Sequence, residues 1–173
     1  MPRFPGDGEV TNVIATMPGS NPNRLVVISG HLDSRASDPM DAKSDAPGAN
    51  DDASGVAAVI EAARLLGGLQ PRATLVFLAV EGEEQGLLGS KGQALSWKED
   101  LREVAAMFTL DIVGGAVGSA MQSDPFRLRV FSDGMPGAGK KVVGSYEDSS
   151  SRQLARYLRR AGQTAVPAFQ YTP

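Results

Sequence analysis

The sequence predicts an α/β fold: a mixed, mostly parallel sheet sandwiched by helices. Three observations carry this prediction. Apolar runs at 25–28, 73–80 and 105–110, rich in branched and aromatic residues, read as strands buried on both faces. Segments with helical spacing of apolar residues lie between them, so strands and helices alternate. Each run then ends abruptly in polar residues, which delivers charge to the carboxyl ends of the strands, where open α/β sheets bind ligands.

In chain order, residues 1–8 are rich in Pro and Gly and read as irregular. Residues 9–17 alternate and predict an outer strand. Residues 18–24 hold Pro, Gly, Ser and Asn and predict a turn. The short strand at 25–28 follows, then a polar loop over 35–49. From there Val56, Val59, Ile60, Ala63 and Leu66 mark the buried face of a helix that Gly67-Gly68 stops. After the strand at 73–80, residues 87–95 predict a helix running on through Trp97 toward Glu103. Residues 105–110 predict a third buried strand, and 126–131 alternate as a fourth. A helix at 149–162 buries Leu154, Tyr157, Leu158 and Ala161, leaves Arg152, Arg156, Arg159 and Arg160 in solvent, and ends at Gly162. Residues 166–171 predict a short last strand.

Composition narrows the function. The chain has 173 residues, 42% hydrophobic and 21% charged, which fits one globular domain with a real core. A net charge of −3 without a long basic run gives nucleic-acid binding little support. No apolar run is long enough to span a bilayer. There is no Cys, which removes disulfides and thiolate chemistry, and there is a single His, His31.

The polar residues at the strand ends are His31, Asp51, Glu83, Glu84 and Asp111. Adjacent carboxylates such as Glu83 and Glu84 repel unless something positive lies near. A divalent cation answers that need, with one Glu as ligand and the other free as a base. A neutral imidazole at a strand end is a good ligand, and Asp33, two residues on, can orient it. Asp51 and Asp52 stand just before a helix; N-capping needs only one of them, so the other carboxylate is free to turn elsewhere. One His with several carboxylates makes a hard, oxygen-rich site of the kind Zn²⁺ accepts.

The stretches Gly30-His31-Leu32-Asp33-Ser34, Ala46-Pro47-Gly48-Ala49-Asn50-Asp51-Asp52-Ala53-Ser54-Gly55-Val56-Ala57 and Glu83-Glu84-Gln85-Gly86-Leu87-Leu88-Gly89-Ser90, with Asp111 after them, resemble the M28 family of zinc aminopeptidases. The resemblance implies a zinc exopeptidase-like (phosphorylase/hydrolase-like) fold acting on peptide substrates. It also implies two zinc ions bridged by Asp51. His31 and Asp111 would complete one ion's ligands and Glu84 would bind the other. Glu83 would be the general base, Asp33 the partner of His31, and the Asp51–Asp52 peptide bond cis. A secreted or periplasmic setting is implied as well, although no signal peptide shows at Met1.

One departure matters. The family's remaining zinc ligand is a His well downstream, and this chain has no second His. The chain therefore reads as a fragment of a single catalytic domain, cut short at its C-terminus and open to the same question at its N-terminus. On that reading one ion is well held, the other is weak or missing, turnover is poor, and bared apolar surface favours self-association. Three other readings compete. A glutaminyl cyclase shares the fold and the Glu pair but uses one zinc; the Asp51/Asp52 pair and the His31-x-Asp33 pattern favour the peptidase. A non-catalytic binding domain of this fold would have lost more ligands. A nucleotide site at 134–141 nearly spells a P-loop, but Lys141 stands where the Ser or Thr for Mg²⁺ should be.

Overall fold

A computed structural model describes residues 9–115, 117, 123–132 and 149–172. Two compact units make up the chain, Met1–Gly114 and Gly115–Pro173.

The first unit is a four-stranded sheet with two helices. Its strands are β1 (Val13–Met17), β2 (Asn21–His31), β3 (Ala73–Val80) and β4 (Glu103–Thr109); its helices are α1 (Ala53–Leu66) and α2 (Leu88–Glu99). The spatial order is β1-β3-β2-β4, with β1 antiparallel to β3 and the other two pairings parallel. This is the mixed, mostly parallel sheet the sequence predicts. Leu25 and Val27 of β2 join Val76, Leu78 and Val80 of β3 in a buried cluster, against which Trp97 of α2 packs. The opposite face meets α1: a β-carbon on Gly30 would lie 2.9 Å from the carbonyl carbon of Gly55. Helices thus cover both faces, and residues 25–28 of β2 and 75–80 of β3 lie largely buried between them, which unbroken apolar runs require.

Several predicted boundaries and faces differ. β2 begins at Asn21, inside the predicted turn, because Asn21 pairs with Ala73 and Arg24 with Glu103. An ion pair joins the Arg24 and Glu103 side chains. α1 buries Gly55 and Val59, but Ile60 is 64% exposed, at the edge of the apolar stripe. β4 is an edge strand rather than a buried one: β2 flanks it on one side, no described strand flanks the other, and Val104 and Met107 are exposed.

The second unit contains β5 (Arg127–Arg129), α3 (Ser150–Ala165) and β6 (Gln170–Thr172), with β5 and β6 paired in parallel. Gly162 does not end α3. It lies where a β-carbon would run into the Tyr171 ring, so glycine lets β6 approach the helix. Leu154 and Leu158 are half-buried, whereas Tyr157 and Ala161 are exposed. The P-loop-like stretch at 134–141 lies outside the described residues. Among the described residues, no helix is long and apolar enough to cross a membrane.

Candidate metal centre

All the candidate ligands lie in the first unit, on segments that leave the carboxyl ends of β2, β3 and β4 or enter α1. His31 is the last residue of β2 and is 3% exposed. Its Nδ1 donates to the Asp33 carbonyl at 2.9 Å, since a carbonyl can only accept. That fixes the proton on Nδ1 and leaves Nε2 facing Asp51 Oδ1 at 3.1 Å. Burial disfavours charge on this ring, but the carboxylates of Asp52, Asp33 and Glu83 outweigh it and hold the His31 pKa above its ordinary value.

The two aspartates divide the work that the sequence leaves open. The Asp51–Asp52 bond is cis. Asp52 is fully buried and points inward, accepting the Gly55 N–H at 2.9 Å as the N-cap of α1 and the His31 N–H at 3.0 Å. Asp51 is turned outward to the imidazole. A β-carbon on Gly55 would overlap the Leu110 carbonyl oxygen and both Asp52 carboxylate oxygens. Glycine there lets the start of α1 press against the ends of β2 and β4.

Asp33 does something sequence reasoning does not assign to it. Its carboxylate is 3.6 Å from His31 Nδ1, while its Oδ1 accepts the Glu83 N–H and its Oδ2 the Glu84 N–H, both at 3.0 Å. The hydrogen bond from His31 Nδ1 goes to its main-chain carbonyl, with the carboxylate as a longer ion-pair partner. Gly82, at a φ of 72°, turns the chain from β3 into this acidic loop. Glu83 and Glu84 both have raised pKa values, chiefly from burial. Glu84 and Asp111 add to the effect at Glu83, and Asp51 adds to it at Glu84. Asp111 is raised as well, by burial and then by Asp52 and Asp51. Burial and mutual repulsion disfavour charge on these carboxylates, and the His31 ring, with the Arg35 guanidinium at Glu84, acts against that.

Residue 112 is an Ile in the left-handed region (φ 51°) directly after Asp111. A branched side chain there carries a cost of about 1–3 kcal/mol. The turn brings the Val113 N–H to Ser54 Oγ at 3.1 Å and the Gly114 N–H to Asn50 Oδ1 at 2.9 Å. Asn50 and Ser54 are thus supporting residues that the sequence alone does not single out, and Asp52 is the one of the two aspartates that caps the helix. Their signal is their place inside the same motif as Asp51.

Among the described residues, two sets of three side chains each bring their potential ligand atoms within 4.8 Å of one another: His31, Asp51 and Asp111, and His31, Glu83 and Glu84. The predicted site residues therefore converge around one imidazole. Nitrogen plus carboxylate oxygen, in sets of three, is a donor set that suits zinc with a position left open.

The sequence profile described as peptidase family M28 matches residues 12–172. A probable zinc metalloprotease of Leptosphaeria maculans is 45% identical over 163 residues, covering 90% of this chain and 38% of the relative. Another, from Pyricularia oryzae, is 42% identical over 166 residues, covering 91% and 33%. The structure is similar to an aminopeptidase from Aneurinibacillus sp. strain AM-1, with a TM-score of 0.61 and 31% identity over 92% of this chain and 33% of that one. It shares its fold with the Legionella pneumophila LapA aminopeptidase at a TM-score of 0.65 and 22% identity, over 93% and 37%. The chain spans no more than about two fifths of the length of these proteins. A profile match across most of its length, over the segments that carry the clustered ligands, shows that the chain belongs to peptidase family M28.

Proposed function

We propose that this chain carries a zinc-dependent peptidase site that removes residues from the N-termini of peptides. The observation that carries the reading is the convergence of His31 with Asp51 and Asp111 on one side and with Glu83 and Glu84 on the other. His31, Asp51, Asp111 and Glu84 would hold zinc. Zinc, when bound, supplies Lewis acidity that acidifies water and polarises a carbonyl. Glu83 is the general base. Its raised pKa brings its carboxylate toward the range in which it can take a proton from the attacking water and return it to the leaving amine. The backbone of Glu83 is fixed by Asp33, so the base is positioned before substrate arrives. The aminopeptidase neighbour at 31% identity supports the exopeptidase part of the reading.

The test is a paired one. Zinc content is measured after loading, and cleavage of aminoacyl anilides is compared with that of the same compounds acetylated at the amine. Zinc uptake with cleavage only of the free-amine series is the expected result. Cleavage of both series alike would remove the aminopeptidase assignment. Failure of the chain to take up zinc would remove the peptidase reading altogether.

A further inference from the structure

The segment leaving β2 carries His31, Asp33 and Arg35 at every second position. In extended chain that spacing puts side chains on one side. The first two already serve the candidate centre, and the third reaches it as well: Arg35 Nε lies 3.0 Å from Glu84 Oε2. Glu84 is only 11% exposed, whereas Arg35 is 47% exposed. Among the described ion pairs, Arg35 supplies the one permanent positive charge at this carboxylate cluster. The loop that bears it is tied to the acidic turn, because Gln85 Nε2 donates to the Pro39 carbonyl at 3.1 Å. Ser34 Oγ donates to the Ala46 carbonyl at 2.8 Å and closes the loop on itself.

We infer that Arg35 is a positioning residue for Glu84: it holds the Glu84 carboxylate in the orientation from which that side chain binds zinc. The inference rests on the peptidase reading above. The parallel with His31 is direct. The imidazole is aimed by the Asp33 carbonyl, and the Glu84 carboxylate is aimed by Arg35 while the Asp33 carboxylate pins its backbone. Partners that orient a metal ligand typically set affinity by about 10- to 100-fold. Repulsion between the guanidinium and a bound cation acts in the opposite direction, so the sign of the affinity change on removing the guanidinium decides between the two.

Zinc affinity of the purified protein, read by competition with a chromophoric chelator, tests this. Glu84→Gln first identifies the binding step that depends on Glu84. Arg35→Gln is expected to weaken that step about 10-fold or more, to leave Asp111-dependent binding unchanged within about twofold, and to leave the circular dichroism of the metal-free protein unaltered. Arg35→Lys, which keeps the charge but not the guanidinium geometry, is expected to recover part of the loss. An unchanged Glu84 step in Arg35→Gln overturns the inference, and so does a tighter one, which would mean that repulsion dominates. If Glu84→Gln changes no step, the inference falls while His31-dependent zinc binding keeps the peptidase reading. A wild-type protein that takes up no zinc overturns both.

Discussion

Asp52 is fully buried and touches two backbone N–H groups from different elements, Gly55 at the start of α1 and His31 at the end of β2. Asp52→Ala removes both acceptors. Losing an N-cap costs about 1 kcal/mol. Leaving the buried His31 N–H without a partner costs about 2 kcal/mol. The expected destabilisation is therefore about 3 kcal/mol, and the two contributions can be separated. Asp52→Ser restores a capping oxygen but is too short to serve both donors, so it should regain about 1 kcal/mol over alanine. Asp52→Asn keeps one acceptor oxygen but turns an N–H₂ toward the other donor, so it should fall between wild type and alanine. The assay is urea unfolding with chelator present, so that bound metal does not mask the loss. The protein's single tryptophan, Trp97, packs on the core cluster and reports the transition by fluorescence. If Asp52→Ala unfolds within about 0.5 kcal/mol of wild type, or if serine is no better than alanine, Asp52 does not join the helix to the strand as described.

Gly55→Ala should cost about 1–3 kcal/mol in the same assay, because the added methyl has nowhere to go between the Leu110 carbonyl and the Asp52 carboxylate; unaltered stability would show that this junction is loose. Glu83→Gln should lower kcat/KM by at least about 100-fold with zinc content unchanged, and wild-type turnover would remove the base assignment. Zinc at about 100 times its Kd should raise stability by about 2.7 kcal/mol over the chelated protein, read by thermal unfolding. Far-UV circular dichroism should not change on zinc addition; a gain of helix or strand would show that the ligands are not in place beforehand.

The parts of the fold that were legible in the sequence are those whose burial is decided locally. The strands at 73–80 and around 25–28 are almost wholly apolar, and only a sheet interior accommodates that pattern. The candidate ligands were legible for a related reason: a carboxylate or imidazole directly after such a run must emerge at the strand end. Contacts between distant segments were not legible. Asp33 binds backbone groups 50 and 51 residues away, and Arg35 meets Glu84 across a similar separation. Nothing in residues 31–35 alone says which turn they face. β4 shows the converse error. Its apolar content measures what it could bury, but its place at the sheet edge depends on what flanks it. The start of β2 was missed because Asn21-Pro22-Asn23-Arg24 has the composition of a turn, and only its pairing with β3 and β4 makes it strand.

Each segment that bears a candidate ligand is held by a polar contact to a different segment, so these contacts hold the candidate centre together without a cation. The end of β2 is bound to α1 through the His31 N–H and Asp52. The acidic turn after β3 is bound to the end of β2 through Asp33. The turn after Asp111 is bound to α1 through Ser54 and Asn50. These contacts join the three strand ends and the helix in one connected set, and the two glycines that meet at Gly30 and Gly55 let the helix come close enough to take part. A metal entering such a site need not organise the chain, unlike structural zinc sites whose binding energy is folding energy. What it relieves is the mutual repulsion of Glu83, Glu84, Asp51 and Asp111, which the fold sustains at the strand ends because β2 and β3 are stabilised independently by their buried faces. The core of the first unit supplies the stability, and the strand ends carry the clustered carboxylates.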